Sequence, residues 1–373
     1  MFRLVSIRNA SRRLYSARVK TTDFKITAQD VPDDSVVFSM IQPTGRFHLG
    51  NYLGAVRVWK DLCDLKGDNI KLLFGVADLH AITVPKPDGS KFRQLRNEAI
   101  ASILAVGVDP SKAIVFHQSS VPQHTELHWI LSTLTPMGYL NRMTQWKSKA
   151  NVNDNSSDEA MQAVKLGLFS YPVLQAADIL LYNATHVPVG DDQAQHLELT
   201  RHIAGQFNKT YKCKHFVPPA TLLAPTKRIL ALNNPDKKMS KSDPNQNSVI
   251  YLNDTPKIIS AKIKQALTDS ISHKFYFDPV NRPGVSNLIN ILSGILRLSI
   301  SEVEDEISKF DSHSSFKDYV SEILIEELKT PRHKFEKLMR DQAYLQEVSE
   351  KSARSAATIA EPNIQKIKNI MGF

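Results

Sequence analysis

Apolar positions come in short blocks in the first two thirds of the chain and in long helical stripes in the last third. After a polar stretch at about Lys20–Asp34, Ser35–Met40 reads as a buried strand, followed by a Gly-containing turn and a helical segment from about Gly50 to Lys66. Lys71–Val76 predicts a second strand, Ser90–Val108 a helix stopped by Gly107 and Pro110, and Ala113–Phe116 a third strand. This β-α-β-α-β order is half of a doubly wound parallel sheet, whose ligands sit beyond the carboxyl ends of the strands. Helices at Glu159–Phe169 and Pro172–Tyr182, a strand at Val187–Val189, a helix at Gln193–Lys209 and a strand at Ile229–Leu232 predict the other half. From about Thr255 the segments Pro256–Leu267, Ser286–Leu298, Glu302–Phe310, Phe316–Glu327, His333–Tyr344 and Gln346–Met371 all favour helix. The expected fold is therefore α/β with a C-terminal all-helical domain, divided at 1–34, 35–254 and 255–373. Asn151–Asp158, rich in Asn, Ser and Asp, reads as a mobile loop.

Composition narrows this picture. The 373 residues suffice for one large core and a smaller second one. The longest apolar stretches, such as Leu72–Ala77, have the length of strands, and no membrane span is expected. Formal charge is +9, yet Arg3, Arg8, Arg12, Arg13, Arg18 and Lys20 fall within the first 20 residues without any Asp or Glu, which leaves +3 for the rest. An Arg- and Ser-rich, acid-free N-terminus predicts an organelle import peptide, here for the mitochondrial matrix. A basic arm that touches nucleic acid is the alternative. Cys63 and Cys213 are too far apart in sequence to suggest a zinc site or a disulfide framework, and Cys213-Lys214-His215 reads as structural.

Two segments carry chemistry. Phe38–Asn51 runs from strand through turn to a helix start at His48-Leu49-Gly50-Asn51. A helix N-terminus offers unsatisfied N–H donors to an anion, Gly50 lets a nucleotide approach the backbone, and His48 can donate to a phosphate oxygen. Alone, such a histidine also reads as a capping or core residue. Far downstream, Asp236–Asn245 holds Lys237, Lys238 and Lys241 around Met239, Ser240 and Ser242. Ammonium groups on a loop suit a triphosphate, because negative charge builds on the leaving pyrophosphate during adenylyl transfer. A solvated basic turn is the plain alternative.

In that order and on those elements, His48–Asn51 and Lys238–Ser242 resemble the HIGH and KMSKS signatures of class I aminoacyl-tRNA synthetases. The phrases Ile41–Gly45, Gly50–Ala55, Asp178–Tyr182 and Val187–Gln193 resemble the tryptophanyl members, and the likeness runs from about Val36 to the C-terminus. The resemblance implies a Rossmann-like catalytic domain ending in the KMSKS loop and an anticodon-binding helical domain. It also implies a homodimer that uses ATP, L-tryptophan and the tryptophan tRNA, with Mg²⁺ carried by ATP and no metal held by the protein. His48, Lys238 and Lys241 would be catalytic. Gln42, His48, Gly50, Asn51, Lys149, Gly190, Asp191, Asp192, Gln193, Lys238, Met239, Ser240 and Lys241 would bind ATP, although the segment around Lys149 also reads as an amphipathic loop. For tryptophan, Asp178 would accept the indole N–H, Phe38, His80, Val187 and Val189 would surround the ring, and Tyr171 and Gln193 would hold the ammonium group. Gln175 shares a helix face with Asp178.

The chain departs from the family pattern at Asn51, which replaces the second His of HIGH as tryptophanyl members commonly show. Met40 stands where bacterial relatives often have Gly, and Gln175 where many have Met. Competing expectations are another HIGH-type enzyme, such as a tyrosyl synthetase or a small adenylyltransferase, and a synthetase-derived RNA-binding or splicing protein.

Overall fold

Alternation along the strands sends Val37, Leu72 and Phe74 to one face of the sheet and Phe38 and Leu73 to the other, and both faces are buried. The structure, a computed structural model, describes residues 26–373 except 28, 66, 68, 151, 153–161, 191–192, 224–227 and 242. The expected leader therefore lies outside the described residues, as does nearly all of the expected loop Asn151–Asp158.

In chain order the elements begin with β1 (Val36–Ile41), then α1 (Leu49–Asn51), which continues through a π-helical turn, Tyr52–Val56, into α2 (Arg57–Leu65). There follow β2 (Lys71–Val76), α3 (Asp78–Ala81), α4 (Gly89–Val106), β3 (Ala113–His117), α5 (Gln123–Ser132), α6 (Met137–Asn141) and α7 (Thr144–Ala150). The second half holds α8 (Leu166–Leu180), β4 (His186–Val189), α9 (Ala194–Thr210) and β5 (Ala220–Leu223). The rest is helical: α10 (Pro256–Lys264), α11 (Pro283–Leu296), α12 (Ile300–Ile307), α13 (His313–Arg340) and α14 (Gln342–Met371).

The described strands form a parallel sheet of order β3-β2-β1-β4-β5. The order reverses between β1 and β4, so the crevice for a ligand opens where those two strands end, at Gln42 and Gly190. Gly107, at φ +109°, ends α4 where its place in the sequence predicts a stop, and Asp88 caps the start of that helix by accepting from Lys91 N at 2.8 Å.

Three expectations about elements are corrected. Ile229–Leu232 is not a strand of the sheet; the fifth strand is Ala220–Leu223, paired with β4. Leu230 makes only an isolated bridge with Lys238, and the Asn287 side chain satisfies its backbone N–H and C=O at 2.9 and 3.0 Å. The run is apolar because Ile229, Ala231 and Leu232 are buried beneath the downstream loop. Second, α8 passes through Pro172 as one helix. Third, α13 passes through Pro331 and joins the two expected helices Phe316–Glu327 and His333–Tyr344. Pro in a helix interior costs about 3 kcal/mol or more, which burial on these helices offsets: Pro172 and Pro331 are themselves buried.

No gap in packing separates the C-terminal helices from the sheet. Leu288, Phe316, Val320 and Leu324 share one apolar core with Trp59, Phe74 and Ile103, while Ala356, Ala360, Ile364 and Ile367 of α14 enter the core on the other face with Phe38 and Phe116. Trp59 and Phe74 stack at 4.7 Å in the first of these. No single described helix is long and apolar enough to cross a membrane.

Candidate active site

The turn after β1 is tied down residue by residue. Gly45 takes φ +107°, a conformation that side chains of L-residues rarely adopt. His48 then caps α1: its Nδ1 accepts from Asn51 N, and its own N–H donates to Asn51 Oδ1, both at 3.3 Å. A Cβ on Gly50 would stand 3.0 Å from His48 Cε1 and 3.1 Å from Nδ1, so the glycine at this position first makes room for the imidazole. With Nδ1 accepting, the imidazole carries its proton on Nε2. Burial, and then the charges of Lys241 and Lys238, push His48 down to about 3, so the ring is neutral at physiological pH.

The downstream loop folds onto this turn. Leu49 N donates to Ile250 O and Leu252 N to Phe47 O, both at 2.9 Å, with a bridge between His48 and Tyr251. Upstream of that contact the loop doubles back on Ile229–Ala231 through Met239 N to Ile229 O at 3.0 Å and Ala231 N to Lys237 O at 2.9 Å. The Met239 side chain is buried in the core and anchors the loop, while Lys238 is exposed beside it. Lys241 Nζ donates to Thr44 Oγ1 at 3.1 Å and to Gly45 O at 3.0 Å, and lies 5.2 Å over the Phe47 ring. Burial pulls this ammonium down to about 8, opposed by the charge of Glu98. Two segments nearly two hundred residues apart thus meet at the carboxyl end of β1, with Gln42 half-buried beside them. Gly190 is exposed at the end of β4 and accepts from Gln193 N at 3.0 Å, while Asp191, Asp192 and Ser242 lie outside the described residues. Lys149 is placed with the second cluster below, its Nζ 4.3 Å over the Tyr171 ring.

That cluster centres on Asp178, which is 2% exposed on α8. His80 Nε2 meets Asp178 Oδ2 at 2.8 Å, while Gln118 Nε2 and His124 Nδ1 each reach Oδ1 at 2.7 Å. Burial alone would raise this carboxyl, yet the hydrogen bonds from His124 and His80 outweigh it and hold Asp178 well below the usual carboxylate range. His80 stands edge-on to Tyr171 at 6.0 Å, and Phe38 stacks on Tyr182 at 5.4 Å. Val187 is buried and Val189 half-buried on the neighbouring β4. A polar group made of Tyr171, Gln175, Gln193, Gln145 and His196 is linked by contacts of 3.0 to 3.5 Å, of which His196 Nδ1 to Gln193 Oε1 is the shortest. Gln175 and Asp178 do share a face of α8, although Gln175 Nε2 turns to Gln193 at 3.3 Å.

Sequence reasoning missed Gln118, His124, Tyr182, Gln145 and His196. Gln118 follows directly on β3, and the rule that places ligands at the carboxyl ends of strands could have found it. The Cys213 turn is structural: Asn208 Oδ1 accepts from His215 N and Phe216 N, both at 3.0 Å, and Cys213 Sγ lies 3.7 Å from the same oxygen.

The comparisons with known proteins agree with one another. The family model "tRNA synthetases class I (W and Y)" matches residues 32–347. The mitochondrial tryptophan–tRNA ligase of Saccharomyces cerevisiae is 60% identical over 379 aligned positions, covering 99% of this chain and 100% of the relative. That of Schizosaccharomyces pombe is 45% identical, with coverages of 91% and 96%. Among solved structures, tryptophanyl-tRNA synthetase from Mycoplasma pneumoniae superposes with a TM-score of 0.79 at 32% identity, covering 91% of this chain and 98% of that one. The Campylobacter jejuni enzyme, complexed with ADP and tryptophan, gives 0.72 at 32% identity, with coverages of 91% and 100%. A neutral His48 beneath the docked Lys241, a buried carboxylate ringed by donors, and identity along the whole chain lead to one conclusion: the chain belongs to the tryptophan–tRNA ligases of the class I aminoacyl-tRNA synthetase family.

Proposed function

We propose that the protein activates L-tryptophan with ATP and transfers it to the tryptophan tRNA in the mitochondrion. The observation that carries this reading is the docking of Lys241 on Thr44 and Gly45, one turn from His48. In the first step the tryptophan carboxylate attacks the α-phosphorus, the bond to the β-phosphate oxygen breaks and pyrophosphate leaves. His48 donates through Nε2 to a phosphate oxygen, and Lys238 and Lys241 neutralise the charge that builds on the leaving group. Gln42, Gly50, Asn51 and Gly190 lie on the adenosine side of the same crevice, and Asp191, Asp192 and Gln193 would join them in binding ATP. In the second step a hydroxyl of the terminal tRNA adenosine attacks the acyl carbon and AMP leaves.

Asp178 accepts the indole N–H. An ionised carboxylate accepts at about four positions, and three donors already occupy Asp178, so one remains on Oδ2. Phe38, His80, Val187 and Val189 flank the ring, and Tyr171, Gln175 and Gln193 face the ammonium group. Magnesium arrives on the nucleotide, since this small hard cation keeps most of its waters and binds chiefly to phosphates in such sites. The lysines here are phosphate partners, not metal ligands, and the ion's contribution when bound is to neutralise phosphate charge.

Residues 255–373 would bind the anticodon, residues 35–254 hold the chemistry, and residues 1–34 direct the chain to the mitochondrial matrix. Trp129 on α5 is 72% exposed, and Met137 on α6 and Leu166 on α8 are also exposed. Burial of these apolar side chains against a second copy would favour a homodimer. Exchange of labelled pyrophosphate into ATP, run with each amino acid in turn, tests the reading: only tryptophan should support it. Lys241→Ala should nearly abolish exchange, and Asp178→Ala should raise the KM for tryptophan. Normal exchange by both variants would overturn the assignment.

A further inference from the structure

Asp178 is held from three elements, and two of its donors have no place in the reaction just described. Gln118 sits in the turn after β3. Its amide is locked in one orientation, because Oε1 accepts from Leu79 N at 3.1 Å while Nε2 donates to Asp178 Oδ1 at 2.7 Å. Leu79 belongs to α3, which also carries His80, so a single amide ties α3 to the carboxylate. His124, on α5, reaches the same Oδ1 with Nδ1, and its Nε2 lies 3.0 Å from the Tyr182 hydroxyl. Burial, and then the charge of Asp178, push Tyr182 well above the usual phenol range, so the hydroxyl keeps its proton and pairs with His124 Nε2. An ionised carboxylate only accepts, so the His124 Nδ1 that faces Asp178 carries a proton and donates to it. Both side chains are fully buried, so no water competes for Oδ1.

We propose that Gln118 and His124 are positioning residues for amino-acid selection. Their N–H groups fill Oδ1 of Asp178 and leave one acceptor position on Oδ2, beside His80, which takes a ring N–H and refuses an isosteric ring without one. This inference rests on the reading of Asp178 as the indole acceptor. Three fixed donors keep the carboxylate ionised, and an ionised carboxylate cannot turn round and donate to a different ring atom.

The test uses the full-length protein in tryptophan-dependent ATP–pyrophosphate exchange. Each variant is compared on tryptophan and on benzothienylalanine, the isostere with sulfur in place of the indole N–H. Wild type should prefer tryptophan by at least about a hundredfold in kcat/KM, as sites built around a hydrogen bond do. His124→Leu and Gln118→Leu should each shrink that preference by about tenfold or more, the scale of a hydrogen bond to a charged group, through KM for tryptophan and with kcat little changed. His124→Asn, which keeps an N–H near the Nδ1 position, should retain the preference. If both leucine variants lose activity on the two substrates in equal proportion, the residues are merely structural and the proposal fails. Should His124→Leu not fold, Gln118→Leu decides by the same ratio. A wild type that uses both amino acids equally well, or an Asp178→Asn variant with undiminished preference, would instead refute the underlying reading of Asp178.

Discussion

Lys241 is held in the free protein in a form that nucleotide binding should change, and the change can be counted in protons. Burial brings its ammonium from 10.5 to about 8, a penalty of about 3 kcal/mol on the charged form. Among the described residues, the charge of Glu98 opposes this. A triphosphate set against Lys241 supplies several negative charges and should restore the ordinary value. At pH 8.5 a lysine at about 8 is roughly one quarter protonated, and one at 10.5 is almost fully so, giving an uptake of about 0.75 proton per ATP bound. At pH 7 the same arithmetic gives only about 0.1 proton. The bound state holds more protons, so affinity must fall as pH rises through the free-protein value: between pH 7.5 and 9.0, ATP affinity should drop about eightfold. Titration calorimetry of ATP binding in two buffers of different ionisation enthalpy measures the uptake directly, and pH 8.5 lies above the range where the γ-phosphate titrates. Lys241→Arg keeps a positive charge that does not titrate, and should abolish the uptake and flatten the pH dependence. An uptake near zero in the wild type at pH 8.5, or an unchanged uptake in Lys241→Arg, would refute the placement of this ammonium against the phosphates.

Three further outcomes are expected. His48, already neutral above about 3, should contribute no titration to the exchange rate between pH 5 and 9, and His48→Ala should lower kcat by about a hundredfold, the usual loss for one transition-state donor; stopped-flow measurement of adenylate formation checks both. Gly50→Ala places a Cβ about 3.0 Å from His48 Cε1, so the ring must shift; kcat should fall nearly as far as in His48→Ala, with little change in the KM for tryptophan. Trp59→Ala removes a fully buried ring stacked on Phe74 and should cost about 3–5 kcal/mol in urea unfolding, a value below 1 kcal/mol arguing against the stacked core.

Much was legible in the chain because it depends on near neighbours. The strand runs at Lys71–Val76 and Val187–Val189 follow from apolar blocks, and the end of α4 follows from Gly107. The His48–Asn51 and Lys238–Ser242 signatures show as chemistry even without a fold, since a helix start with a histidine and a lysine-rich loop each have a local meaning. Locality also explains the errors. Ile229–Leu232 is as apolar as any strand, but what it pairs with is set by Asn287 and by the loop that doubles back through Met239. Pro172 and Pro331 would end a helix on propensity alone, and burial in the core carries the helices past them.

The sequence by itself determined the element types, the parallel α/β class and the two segments whose chemistry suits a nucleotide. Only tertiary structure decided which residues act together. Lys241 reaches Thr44 across 197 positions, and Asp178 collects donors that stand 98, 60 and 54 residues away. Periodicity and motif spacing carry no information on such pairings, because the contacts form between side chains that share a place only after the strands have been ordered β3-β2-β1-β4-β5. A buried carboxylate shows the physical reason most plainly: its charge state and its one open acceptor position are set by the groups that surround it, and these are chosen by the fold.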